Sequence, residues 1–144
     1  MDAFRFQDPQ GGTDGVTWQI TLRPSEPDLQ WQDLREIVAD VLLAGDGLDY
    51  KIGDFVVLPD RLIALVGLYP GRILEQQSRE WITTSAARID ECRERKGDFW
   101  KAKTESERIR DWDDFDARRK ALRRAPREAG IRVGEFYLHV HDDE

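Results

Sequence analysis

His139 and His141 are the only histidines of the chain, and they stand two residues apart in Phe136-Tyr137-Leu138-His139-Val140-His141. On a strand, successive side chains alternate between faces, so this spacing puts both imidazoles on one side. Two imidazoles joined by Asp142, Asp143 or a distant carboxylate would suit a divalent metal, the arrangement of a metal-dependent hydrolase. The outward face of an edge strand running into a solvated tail explains the pair better. No third ligand at a fixed spacing accompanies it, and neither a metal nor any other cofactor is expected.

The second group is the basic run Arg118-Arg119-Lys120-Ala121-Leu122-Arg123-Arg124-Ala125-Pro126-Arg127. Cations at this density suit phosphates or an acidic protein surface. Asp111, Asp113, Asp114 and Asp116 precede it, and acid at a helix start with base at its end is what the helix dipole favours. Asp114 with Arg118 and Asp116 with Lys120 are also spaced for i, i+4 ion pairs. The third group is the tryptophans, five in 144 residues. Trp18 and Trp81 fall on core stripes, whereas Trp31, Trp100 and Trp112 fit theirs less well. Tryptophan and arginine are enriched where interfaces hold most of their binding energy. Trp100 and Trp112, with Arg108, Arg118, Arg119, Arg123 and Arg124, are therefore the expected partner-binding residues.

Recognisable catalytic constellations are missing. The chain has no G-x-S-x-G, H-E-x-x-H, Walker, G-x-G-x-x-G or C-x-x-C pattern. Cys92, the single cysteine, lies on the apolar stripe expected of a helix, where a buried and inert thiol is the usual case. An aspartate group spread around a helix lacks the loop and glycine of a calcium site. The chain is accordingly expected not to be an enzyme.

These residues need a scaffold, and the composition supplies one. A chain of this length fits one domain, 1–144, with a core that needs no disulfide. Hydrophobic residues make up 40% and charged ones 35%, with a net charge of −7, which disfavours general binding to nucleic acid or anionic lipid. The charge is unevenly spread. Residues 1–70 carry 5 basic and 12 acidic side chains, 71–130 carry 16 and 13, and 131–144 carry 1 and 4. One cysteine and an N-terminus without an apolar stretch point to a cytoplasmic setting.

Residues 55–69 are the most apolar stretch, too short to span a bilayer and lacking the period of a surface element, so both faces should be buried. A hairpin over Tyr50–Leu58 and Leu62–Tyr69, turning at Pro59-Asp60-Arg61, is the expected form. Before it come a short strand at Phe4-Arg5-Phe6 and a strand with Val16, Trp18, Ile20 and Leu22 on one face. A helix follows, started by Pro27, with Leu34, Ile37, Val38, Val41 and Leu42 on its buried side. Beyond Pro70-Gly71 a long helix runs to about Lys96, with Leu74, Trp81, Ile82, Ala86, Ile89 and Cys92 as its stripe. A capping box at Thr104-Glu105-Ser106-Glu107 suggests a helix restarting there and ending or bending at Pro126. Phe136, Leu138 and Val140 form one face of a last strand returning to the sheet.

This order defines an α+β fold: a mainly antiparallel sheet in ββαββ order, closed by the C-terminal strand, with two or three helices on one face. Within it, 1–70 is the sheet-rich acidic part, 71–127 the helical charged part, and 128–144 the final strand and acidic tail. The functional expectation is a non-catalytic protein-protein interaction module: an adaptor, an inhibitor or a small subunit of a complex. A protein partner ranks above nucleic acid, and no membrane is expected. The alternative is a nucleic-acid-associated accessory protein using 118–127. A second alternative is the hydrolase built on His139 and His141.

Overall fold

A computed structural model describes residues 4–7, 15–26, 28–93 and 98–141. Five strands form one antiparallel sheet in the order β4-β1-β3-β2-β5. They are β1 (Thr17–Leu22), β2 (Tyr50–Leu58), β3 (Arg61–Leu68), β4 (Glu105–Arg108) and β5 (Tyr137–His139). Three α-helices cover it: α1 (Gln32–Ala44), α2 (Leu74–Arg93) and α3 (Trp112–Glu128). The expected α+β class and antiparallel sheet are both present.

The β2–β3 hairpin forms around Pro59-Asp60 and lies inside the sheet, bordered by β5 and β1. Phe55, Val56, Val57, Ala64, Leu65 and Val66 are wholly inaccessible. Burying one such large aliphatic or aromatic side chain contributes about 1.5–3 kcal/mol, which makes this hairpin the main source of stability. Alternation along the strands sorts these residues onto two faces. Ile52, Phe55, Val57, Ala64 and Val66 meet Leu34, Val38 and Leu42 of α1 and Trp81 and Ile89 of α2. Val56, Leu58 and Leu65 meet Phe115 and Leu122 of α3, together with Phe4.

The helices are therefore divided between the two faces, where one covered face was expected. A hairpin apolar on both sides leaves half its surface wet unless something packs on each. β2 is irregular between Ile52 and Phe55, where Phe115 of α3 packs against it. A Cβ on Gly53 would stand 3.1 Å from the Leu65 carbonyl oxygen and 3.4 Å from the Phe115 ring.

Residues 99–108 depart most from expectation. Glu105–Arg108 is not the start of a helix but edge strand β4, paired with β1 from Trp18↔Arg108 to Thr21↔Glu105. Without β4, the outer edge of β1 would carry unpaired amides and carbonyls, and that demand outweighs the local capping signal. The helix begins later, with the Asp111 side chain accepting from the Asp114 amide at 2.8 Å. It runs through Pro126 to Glu128, although the proline has no amide to donate to the carbonyl four residues back. Residues 4–7 form no strand; Phe4 instead plugs the α3 side of the core. Cys92 is exposed, so the expectation of a buried thiol is corrected. Pro27 and the stretch 94–97 lie outside the described residues.

A chain of polar contacts ties the α1–α2 layer together. The Trp100 Nε1–H donates to Ser85 Oγ at 2.8 Å, and Ser85 Oγ donates to the Trp81 carbonyl at 2.6 Å. Trp81 Nε1–H donates to the Tyr50 hydroxyl at 3.0 Å, which donates to the Leu42 carbonyl at 2.6 Å. Burial pushes the Tyr50 pKa up to about 12, so this hydroxyl stays protonated and remains a donor.

Gly45 ends α1 directly against that ring, where an added Cβ would lie 2.6 Å from the Tyr50 oxygen. Because Tyr50 is held by two hydrogen bonds, Gly45→Ala is expected to destabilise the fold by about 1–3 kcal/mol. Urea unfolding measures this, and an unchanged midpoint would show that the Tyr50 clamp is looser than described.

Candidate nucleic-acid interface

α3 carries both the acidic group and the basic run, and tertiary contacts divide the run into two sets. The inner set is held by carboxylates. Arg118 donates to Asp114 at 2.9 Å and to Glu107 of β4 at 2.6 Å, and also reaches the Gln19 side chain at 3.2 Å. Burial alone would lower its pKa, but the bonds to Glu107 and Asp114 outweigh that and raise it. For Asp114, burial is likewise opposed and overcome, by the Arg110 amide and Arg118, so its pKa is lowered. Asp114 and Arg118 thus form the expected i, i+4 pair. Asp116 instead approaches Arg119 at 3.9 Å, not Lys120.

Arg119 and Arg123 turn toward β2. Arg123 Nε donates to Asp54 Oδ2 at 2.6 Å, and Arg119 Nε lies 3.5 Å from Asp54 Oδ1. Asp54 is completely buried, and its Oδ1 also accepts the His141 backbone amide at 2.8 Å. One carboxylate therefore joins β2, α3 and the segment after β5. A buried charge is tolerated only when its oxygens are filled in this way.

The outer set faces solvent. Lys120, Arg123, Arg124 and Arg127 follow one another at helical spacing and are all exposed. Arg124 has a loose, exposed contact with Glu128 at 3.7 Å. Among the described residues, Lys120, Arg127 and Arg132 have no carboxylate within ion-pairing distance. Beyond the helix, Gly130 at φ +72° reverses the chain and brings Arg132 back toward α3. The result is an open cleft of about 710 Å³, with Arg123, Arg124, Arg127 and Arg132 around Pro126, Ile131, Val133 and Phe136. Val133 is 93% exposed on its rim. Its far wall is pinned by Arg35, which is buried and donates to the Gly134 carbonyl at 2.7 Å.

The other expected residues fare unevenly. Trp100 is buried and serves the core hydrogen-bond chain, so it cannot meet a partner without unfolding. Trp112 is 43% exposed at the start of α3, edge-on to Phe6 at 5.0 Å. Arg108 donates to the Phe6 carbonyl at 2.8 Å. The histidines do not share a face. His139 stacks on Phe55 at 5.0 Å, whereas His141 lies edge-on to Phe4 at 5.2 Å, in the other half of the core. β5 ends at His139, so strict alternation does not extend to His141. Among the described residues, no three His, Cys, Asp or Glu side chains gather as a metal site; Asp142 and Asp143 lie outside them. Asp54, Arg132 and Phe6 were not singled out from the sequence. The one available signal was a lone carboxylate, Asp54, opening an otherwise apolar strand core.

An antiparallel five-stranded sheet with helices on both faces and an arginine-lined cleft at one helix end defines the class of this protein. No protein-family model matches the chain, and no curated protein matches it in sequence. The solved structures that share its fold include two transposase structures. One is a REP-associated tyrosine transposase bound to a REP hairpin, 18% identical, with a TM-score of 0.64 over 90% of this chain and 74% of that one. The other is a protein assigned as a transposase in Deinococcus radiodurans R1, 12% identical, with a TM-score of 0.53 over 79% of this chain and 94% of that one.

This likeness corrects three expectations. A non-catalytic adaptor is no longer the leading reading, because the shared fold serves as a transposase elsewhere. For the same reason, the lack of familiar catalytic motifs is no ground for excluding an enzyme. The ranking of a protein partner above nucleic acid no longer stands, since the first of these relatives in fold is bound to a REP hairpin. No helix among the described residues is long and apolar enough to cross a membrane.

Two outcomes test the geometry. Asp54→Asn removes the charge that satisfies two arginines and weakens the docking of residue 141. Arg123 is 40% exposed, so solvent screens part of the loss and a destabilisation of about 1–3 kcal/mol is expected. An unchanged urea midpoint would refute the three-way junction. Burial lowers the His139 pKa below 6.5, against the opposing pull of Asp54 and Asp46. A depressed folded pKa means stability that is present above about pH 6.5 and lost as the pH falls through the folded value. Melting temperatures between pH 7.5 and 5 should fall less for His139→Phe, which keeps the stack on Phe55, than for the native chain.

Proposed function

We propose that this protein binds nucleic acid, specifically DNA folded into a hairpin, on the C-terminal half of α3. The observation that carries the reading is the outer cation set. Lys120, Arg123, Arg124, Arg127 and Arg132 are exposed at one end of a single helix, and three of them have no carboxylate partner among the described residues. In a chain of net charge −7, such a concentration needs an anion to face. The apolar floor of Pro126, Ile131, Val133 and Phe136 suits the sugar and base edges between phosphates. The fold shared with a hairpin-bound transposase favours a nucleic acid over an acidic protein as that anion.

In this reading the inner cations position and the outer cations bind. Arg118 and Arg119 hold α3 against β4 and β2, so that the outer stripe is presented as a rigid row. Phosphate contacts of this kind fix orientation on the nucleic acid without reading its sequence.

The experiment is a titration of a labelled DNA hairpin across salt concentrations. Affinity should fall steeply with salt, and Arg127→Ala with Arg132→Ala should shallow the slope of log K against log salt by about 1–2, close to one unit per lost phosphate contact. Neither residue contacts the core, so circular dichroism should be unchanged. Absence of binding at low salt, or a double variant with the native slope, would overturn the proposal.

A further inference from the structure

Arg123 differs from the other cations of the cleft in how it is held. Its Nε donates to Asp54 Oδ2 at 2.6 Å, and Asp54 is completely buried, so the root of the guanidinium is fixed against β2. Its two Nη groups have no hydrogen-bond partner among the described residues. The side chain is 40% exposed and lines the cleft beside Pro126, Ile131 and Phe136. One edge of the fork is thus spent inside the protein, and the end with both Nη groups is left for a ligand.

The charge around Arg123 is already balanced. Among the described residues, Asp54 and Asp116 face Arg119 and Arg123, two carboxylates against two guanidiniums. Lys120, Arg127 and Arg132 have no such counter-charge there. A phosphate gains most from an uncompensated cation, and at Arg123 it would also feel the Asp54 charge behind the guanidinium. What Arg123 offers instead is direction: a planar fork with a fixed root and free donors, matched to two neutral acceptors side by side. In the major groove of DNA, O6 and N7 of guanine are that pair. Adenine shows one acceptor and one donor there, cytosine a donor, and thymine one acceptor beside a methyl. None of these fills both Nη groups.

Resting on the nucleic-acid reading above, we infer that Arg123 reads a guanine of the bound DNA through its two Nη groups, and that Asp54 is the positioning residue that holds it for this. Lys120, Arg127 and Arg132 fix the DNA by its phosphates, and Arg123 adds a preference for sequence. Holding the fork in advance also reduces the rotamer freedom lost on binding.

The test compares two DNA hairpins with stems of G·C pairs only. One carries 7-deazaguanine in place of every guanine, which removes N7 and leaves the phosphates as they are. The native chain should bind the guanine form more tightly by roughly 5-fold or more, the lower end of what one bidentate arginine–guanine contact is worth. Arg123→Lys keeps the charge and loses the fork, so the preference should vanish while the slope of log K against log salt stays the same. Asp54→Asn keeps Arg123 but releases it. The preference should then vanish as well, and the slope should steepen by about 1 as the freed charge becomes available to a phosphate. A merely structural defect would weaken both forms and leave the slope no steeper. Arg123→Lys carries the test by itself should Asp54→Asn prove too unstable to assay. Arg127→Ala with Arg132→Ala should weaken both forms alike and leave the preference intact. Equal affinity of the native chain for the two hairpins, or a preference of native size in Arg123→Lys or Asp54→Asn, would overturn the inference while leaving the outer-cation site standing. Failure to bind either hairpin at low salt would remove both.

Discussion

The whole arrangement depends on a hairpin that is apolar on both faces. β2 and β3 cannot lie at a surface, so each face requires a cover and each strand requires a neighbour. α1 and α2 cover one side, and α3 with Phe4 covers the other. β1 and β5 flank the pair, and β4 extends the sheet beyond β1. The placement of α3 on a face of its own follows from this requirement. A helix that shares its layer with no other helix keeps a broad solvent-facing side, and that side holds the cations.

Asp54 is where the apolar constraint and the charge pattern meet. Being buried beneath α3, it needs partners: Arg123 and the His141 amide donate to it, and Arg119 forms an ion pair with it. The junction sets how α3 rotates on the sheet. Arg119 is drawn inward, and Lys120 and Arg127 are thereby turned out. Arg123 belongs to both sets, since it reaches Asp54 and still lines the cleft. The basic run is consequently neither a uniformly solvated face nor a uniformly available one.

Net charge does not describe what a ligand would meet at the end of α3, for a physical reason. At physiological ionic strength exposed charges further apart than about 8 Å are largely screened from each other. The acidic residues of the first half do not cancel a row of cations at the end of α3 if they lie beyond that range. What an approaching phosphate meets is the local set, and that set depends on which arginines are already paired.

Several elements were legible in the residue order because their causes are local. The hairpin came from an unbroken apolar run with a Pro-Asp turn, β1 from strict alternation, and α1 and α2 from apolar residues at helical spacing. The Asp114–Arg118 pair also follows from spacing alone. Other features depend on what lies across the fold. Glu105–Arg108 has a helix-capping pattern and becomes a strand because β1 needs a neighbour. Trp100 has the composition of an interface residue and is buried because Ser85 offers it an acceptor. The two histidines alternate in sequence, yet the strand stops between them. By itself, then, the amino-acid order determined the class of fold, the central hairpin and the stretch of α3 that holds the cations. Only the tertiary structure decided which of those cations remain outside, because hydrogen bonds to Asp54 and Glu107 join residues far apart in the chain, and no local period records them.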